Sequence, residues 1–227
     1  MIVVGVVFTS FSAIFVRLSD APPLAIAAWR MVFTSVLLTP MFLRERSRAH
    51  TRRTEARGDR APIPSRRTAL LLSLASGAFL ALHFALWITS LSYTSVASST
   101  VLVTTHPIIV ALVGFVLLGE QLSMRASLFM LGGLVGSVVL VWGGFDQGES
   151  ALLGNLLAFL GAVTVAGYML LGRVVRRRLS VNAYTMIVYS TAELGLAGAA
   201  LVAVVRLAPY PVREYLLFAA LALFCTL

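Results

Sequence analysis

The chain has 227 residues, 59% hydrophobic and only 12% charged, with a mean hydropathy of +0.93. This balance excludes an ordinary soluble domain, and the apolar runs are too long, and too free of period-two alternation, for a β-barrel. The net charge of +9 comes from 18 basic residues, all arginine, against 9 acidic ones; because the arginines cluster in a few loops, they point to membrane topology and not to a nucleic-acid partner.

The fold class that follows is an all-α membrane protein, a polytopic helical bundle. Segment 1 is expected over Ile2–Leu18; it lacks a basic lead, so a cleaved signal peptide is a poor reading. Asp20-Ala-Pro-Pro23 makes a turn, since proline suits the start of a helix. Segment 2 spans Leu24–Leu43. The following loop, Arg44–Thr68, carries nine arginines and two prolines, and is expected to be disordered and cytoplasmic. Segment 3 covers Ala69–Leu91, segment 4 Val96–Leu118 and segment 5 Ser127–Trp142, with an acidic loop, Gly143–Ala151, after it. Segment 6 is Leu152–Leu171 and ends in a second basic cluster, Arg173, Arg176, Arg177 and Arg178. Segment 7 is Ala183–Val205, Arg206–Arg213 is a proline-containing turn, and segment 8 runs from Glu214 to Leu227.

With the Arg44 loop inside, alternation puts Arg125 and the Arg173–Arg178 cluster inside too, giving 14 arginines on that side. Arg17, Arg206 and Arg213 fall outside, and Arg30 lies within segment 2. The asymmetry predicts a multi-pass protein of the cytoplasmic membrane with a cytoplasmic N-terminus.

From segment 6 onward the chain repeats the plan of segments 1 and 2: a small-residue-rich apolar run, a basic exit, a polar turn and another apolar run. Five segments before a repeat place the second copy upside down, an arrangement found in secondary transporters.

The hinge PIIVALVGFVLLGEQLS, with the GGLVGSVVLVWGG run after it, resembles the EamA-type domain of the drug/metabolite transporter superfamily, and Ser12–Pro40, with Arg17 and the WRMVFTSVLL run around Arg30, is similar to that domain's opening. The resemblance implies ten helices in two inverted five-helix repeats that carry small metabolites or drugs. On that plan residues 1–144 are the first repeat and 152–227 an incomplete second repeat. The long basic loop and the missing second Leu-Gly-Glu hinge depart from the pattern, and the chain is expected to be a fragment short of about two and a half helices.

Ionisable groups inside a membrane are costly and mark function or pairing. Glu193, with Tyr189 and Thr185 at four-residue spacing, forms a polar stripe on segment 7 suited to substrate, proton or interhelical hydrogen bonding. Arg30, two turns into segment 2, suits a carboxylate or phosphate, or a pairing with Glu193. Arg17, nearer a helix end, reads as an interfacial anchor. His83 and Trp87 share a face of segment 3, for a cavity wall or for packing. Thr100, Thr104 and His106 make the upper half of segment 4 polar, where Pro107 frees a backbone carbonyl. Tyr168 adds an aromatic wall or a core side chain. Glu120 is read as structural or gating, paired with Arg125 across the hinge. Gly132, Gly133 and Gly136 give segment 5 a smooth face, for another helix of the chain before a homodimer.

No catalytic motif is present, no cofactor is implied, and a lone Cys225 gives neither a disulfide nor a metal site. The expected function is a secondary transporter working by alternating access on a small-molecule substrate in the lipid bilayer. The alternatives are a membrane-embedded enzyme holding a lipid-linked phosphate with His83, His106 and Arg30, or a non-transporting membrane subunit.

Overall fold

A computed structural model describes residues 11–49, 64–119, 121–142 and 149–225. All regular structure among them is helical: α1 Ser12–Leu18, α2 Pro23–Ala49, α3 Arg66–Ser90, α4 Val96–Val103, α5 His106–Leu118, α6 Met124–Trp142, α7 Glu149–Val175, α8 Val181–Val202 and α9 Val212–Cys225. Among the described residues, five stretches are long and apolar enough to cross a membrane: Pro23–Arg44, Arg66–Ser90, Val96–Val116, Ser150–Val175 and Val181–Val202.

Helix starts follow from local chemistry. Ser65, Ser95 and Ser180 sit in extended backbone before α3, α4 and α8, and each hydroxyl accepts from the N–H three residues on, satisfying one of the orphan donors of a first turn. Helix α5 stops at Gly119, whose φ of 64° is left-handed backbone that glycine adopts without the penalty of a Cβ.

Several boundaries differ from the sequence expectation. Helix α2 runs six residues into the basic loop to Ala49, α3 begins at Arg66 and α7 extends to Val175, because arginine is a good helix former and a helix need not end where the hydrocarbon does. The expected disorder at residues 50–63 lies outside the described residues, as do residues 1–10 of segment 1 and Glu120. Segment 4, expected as a single helix, is broken into α4 and α5 at Thr104–Thr105. Pro107 has no N–H to give the Val103 carbonyl, and cannot sit comfortably in an unbroken helix.

Helix α3 is the axis of the bundle. It packs on α7 and α8, and α2 packs on α8 and α9; α1 meets α9, and α4 and α5 lie against α7. Contacts run antiparallel between α3 and α7, from Ser76 near Tyr168 through His83 at Gly161, on to Thr94 at Asn155 beyond the end of α3. One end of the bundle therefore gathers the arginines of the α2 end, the α3 start and the α7–α8 turn; the opposite end gathers the α1–α2 turn, the α3–α4 turn and the start of α9.

Glycine permits the closest approaches. A Cβ on Gly77 would lie 2.5 Å from the Thr191 Cβ, and one on Gly154 would lie 2.8 Å from the Thr94 Cβ. The glycines singled out from sequence behave otherwise: a Cβ on Gly132, Gly133 or Gly136 would meet nothing within 4 Å. The expected intrachain packing on that face is not made among the described residues, since α6 touches chiefly α4 and leaves most of its side chains exposed.

Candidate functional site

The buried face of α3 repeats every three to four residues: Ser73, Ser76 with Gly77, Leu80, His83 with Phe84, Trp87 and Ser90. In a membrane the polar and small residues of a helix turn towards protein, because lipid offers them no hydrogen bonds. Each serine of this stripe, and His83, finds a partner suited to its depth. Ser73 donates to the Ala69 carbonyl at 2.7 Å. Ser76 Oγ donates to the Tyr168 carbonyl at 3.2 Å and lies 2.5 Å from the Tyr184 phenol, whose ring is stacked on Tyr168 with centroids 6.3 Å apart. His83 Nδ1 is 2.8 Å from the Gly161 carbonyl; a carbonyl only accepts, so the proton sits on Nδ1. Ser90 donates to the Trp87 carbonyl and shares a 2.6 Å hydrogen bond with Ser99.

The strongest local charge is Arg30, only 3% exposed. Its Nη1 donates to Ser12 Oγ at 3.1 Å, and its guanidinium carbon lies 4.5 Å from the Phe84 ring centroid and 6.0 Å from that of Trp87. Cation–π contact of this kind stabilises a buried cation by about 0.5–2 kcal/mol. His83 stacks on Trp87 with centroids 6.1 Å apart and planes 4° from parallel. Arg30 thus comes together with His83 and Trp87, which share a face of α3, and Phe84 and Ser12 complete the cluster. Trp87 is 7% exposed, and its Nε1 has no hydrogen-bond partner among the described residues.

The other expected site residues are dispersed. Glu193 is half-buried on α8, and among the described residues no hydrogen bond or ion pair engages its carboxylate; the pairing with Arg30 considered from sequence is not made. Tyr189 packs against the core, and Thr185 donates to the Val181 carbonyl at 2.6 Å. Tyr168 contributes its backbone carbonyl to Ser76 as well as its ring to Tyr184.

Thr104, Thr105 and His106 form the break between α4 and α5. Thr104 Oγ1 donates to the Val101 carbonyl at 2.9 Å, Thr105 Oγ1 to Leu102 at 2.7 Å, and His106 Nδ1 to Val103 at 3.0 Å. Pro107 is exposed and follows directly.

At the end opposite the arginine clusters, the α1–α2 turn is tied to α9. Glu214, 3% exposed, accepts from the Ser19 hydroxyl and, at 3.4 Å, from the Asp20 N–H. Arg213 bridges to Asp20 at 3.2 Å and donates to the Leu18 carbonyl at 2.7 Å. Arg17 donates to the Thr94 carbonyl at 2.6 Å, while Thr94 Oγ1 donates to Asn155. Sequence reasoning passed over Ser12, Ser76, Tyr184 and Glu214. The spacing of serines and glycine with His83 along segment 3 was a usable signal for Ser76; nothing local marked Glu214, whose burial depends on a turn almost 200 residues earlier.

Among the described residues no group of three or more histidine, cysteine or acidic side chains is placed to hold a metal. A sequence model described as the EamA-like transporter family matches residues 1–142, which end with α6. No curated protein and no solved structure matches the chain.

Proposed function

We propose, for a chain that belongs to the EamA-like transporter family, that it moves a small organic solute across the cytoplasmic membrane by alternating access between two packed halves. The observation that carries this reading is the polar seam along α3. Ser76, His83 and Thr94, all within the residues the family covers, hydrogen-bond across to Tyr168, Tyr184, Gly161 and Asn155 in the remainder. A hydrogen-bonded interior running between two halves is what a solute path needs in a medium that supplies no water.

The packing pattern supports an inverted repeat, with residues 1–144 as one half and 152–227 as the other. Counting α4 and α5 as one span, spans 2 and 7 pair with each other, span 3 pairs with 6 as span 8 pairs with 1, and span 3 pairs with 7 as span 8 pairs with 2. Exchanging each span for the one five places on leaves those five pairs unchanged, while the contact of span 2 with span 3 has no equal between spans 7 and 8. A bundle with such symmetry has two equivalent ways to tilt, the geometric basis of alternating access. The arginine distribution favours a cytoplasmic N-terminus.

The test is flux into vesicles carrying the purified chain, with a panel of amino acids, amines, nucleosides and organic acids. Saturable flux of at least one member is expected, and none across the panel from a folded protein refutes the reading. Glu193, with a carboxylate at mid-span, is assigned proton coupling: Glu193→Gln is expected to lower uptake about tenfold or more and to flatten its pH dependence. Unchanged uptake and pH profile in Glu193→Gln remove that role.

A further inference from the structure

We infer that α1, α2 and α3 hold a binding path for a small organic carboxylate, made of an outer cavity and an Arg30–Trp87 site one helical turn beneath it. The inference deepens the transport reading, and rests on it only for the step from binding to passage.

A cavity of about 200 Å³ opens at the bundle end opposite the arginine clusters. Its rim carries Arg17, Ser19 and Ser92, and its floor is Val16, Ile26, Ile88 and Leu91. Each floor residue stands four positions from a member of the deeper cluster: Val16 from Ser12, Ile26 from Arg30, Ile88 from Phe84 and Leu91 from Trp87. Four residues are about 6 Å of helix. Helices α1 and α3 run towards the cavity and α2 runs away from it, so all four steps point the same way, and the cavity lies directly above the cluster. The floor side chains are 0–6% exposed and form an apolar plug one layer thick.

The chemistry on the two sides of that plug matches. Arg17 uses Nη2 on the Thr94 carbonyl, one of its five N–H donors. Below, the Arg30 guanidinium lies beside an indole whose buried N–H has no partner among the described residues. A donor left unpaired in such a place is an uncompensated cost of folding, unless a ligand takes it up. A carboxylate has two acceptor oxygens, one for the guanidinium and one for the indole N–H, and its charge is opposite to both arginines. A cationic ligand meets two like charges on this path, and a neutral amide meets the donors without the charge. Among the described side chains the acidic groups at this end are already engaged: Glu214 by Ser19, the Asp20 N–H and Arg213 at 3.8 Å, and Asp20 by Arg213.

The test uses the whole chain in lipid nanodiscs with its three tryptophans labelled with nitrogen-15, titrated with benzoate and, separately, with benzamide of the same shape. The Trp87 indole resonance, assigned by its loss in Trp87→Phe, is expected to shift saturably with benzoate and about tenfold more weakly with benzamide. Trp29, whose Nε1 donates to the Leu207 carbonyl at 2.7 Å, is expected to stay in place and reports folding. Trp87→Phe keeps the aromatic ring beside Arg30 and is expected to weaken benzoate binding about tenfold by equilibrium dialysis. Arg17→Gln is expected to weaken it about threefold, and to reduce its salt dependence. Equal response to benzoate and benzamide, or no Trp87 shift while Trp29 reports a folded protein, overturns the inference. Benzoate binding without saturable flux of any solute leaves this site standing and removes the transport reading; flux of an amine without benzoate binding does the reverse.

Discussion

Burial separates two carboxylates that the sequence presents as equals. Asp20 is exposed and its bridge to Arg213 lies at the surface, whereas Glu214 is 3% exposed and holds the Ser19 hydroxyl and Asp20 N–H. Removing the buried group leaves two donors without an acceptor. Glu214→Ala is expected to cost about 1–3 kcal/mol, against about 0–1 kcal/mol for Asp20→Asn, read as the shift in thermal unfolding of the detergent-purified protein. Equal shifts would mean that Glu214 is no more than a surface charge. Tyr184→Phe removes the phenol beside Ser76 and is expected to cost about 0.6 kcal/mol, the average for hydrogen bonds between membrane helices, and no more than about 1.7 kcal/mol; adding Ser76→Ala should then cost less than it does alone, because the partner is already gone. At this scale the sequence showed which residues were unusual but not what they touch. Arg30, His83 and Trp87 stood out because charge, imidazole and indole are rare in apolar runs, while Ser12 and Phe84, which complete the cluster, are ordinary there.

Helices are fixed by which face each one offers. Gly77 allows α3 to approach α8 so closely that a methyl group would overlap Thr191 and the Val188 carbonyl, at 2.5 and 2.8 Å. Gly77→Ala is expected to destabilise by about 1–3 kcal/mol, and Gly132→Ala or Gly136→Ala by no more than about 0.5 kcal/mol, measured side by side as thermal unfolding midpoints. A large loss at Gly132 would show that another helix covers that face in the membrane. The clustered glycines of α6 drew attention in the sequence because they are close together; the single Gly77 did not, although it lies on the polar stripe of α3. Spacing alone records that a helix has a smooth face, and only the neighbour decides whether the face is used. Among the described residues helix existence was legible, since a run of apolar residues of membrane length has few alternatives. Helix ends were less so, because arginine extends a helix as readily as leucine does.

For the molecule as a whole, the arginine clusters mark one end of the bundle, and the seam along α3 ties the residues the family model matches to those beyond them. Single cysteines at Arg177 and Val212, in a Cys225→Ser background, test the orientation: an impermeant thiol reagent applied to intact cells should label position 212 and spare 177 until the membrane is opened. The reverse pattern would invert the topology. All-helical class, membrane character and family were readable from composition and from the Leu-Gly-Glu hinge. The pairing of span 3 with 6 and of 2 with 7 was not, because it arises from contacts between residues far apart in the chain, such as Ser76 with Tyr168 92 positions on and His83 with Gly161 78 positions on, that no local pattern encodes.

The three donors at Thr104, Thr105 and His106 reach carbonyls within the same short step of chain, so the broken span carries its own substitute for water. A bend at this step would leave those three hydrogen bonds in place and keep the Val101, Leu102 and Val103 carbonyls covered. The break between Val103 and His106 is thus an elbow whose solvation cost the chain meets from its own side chains.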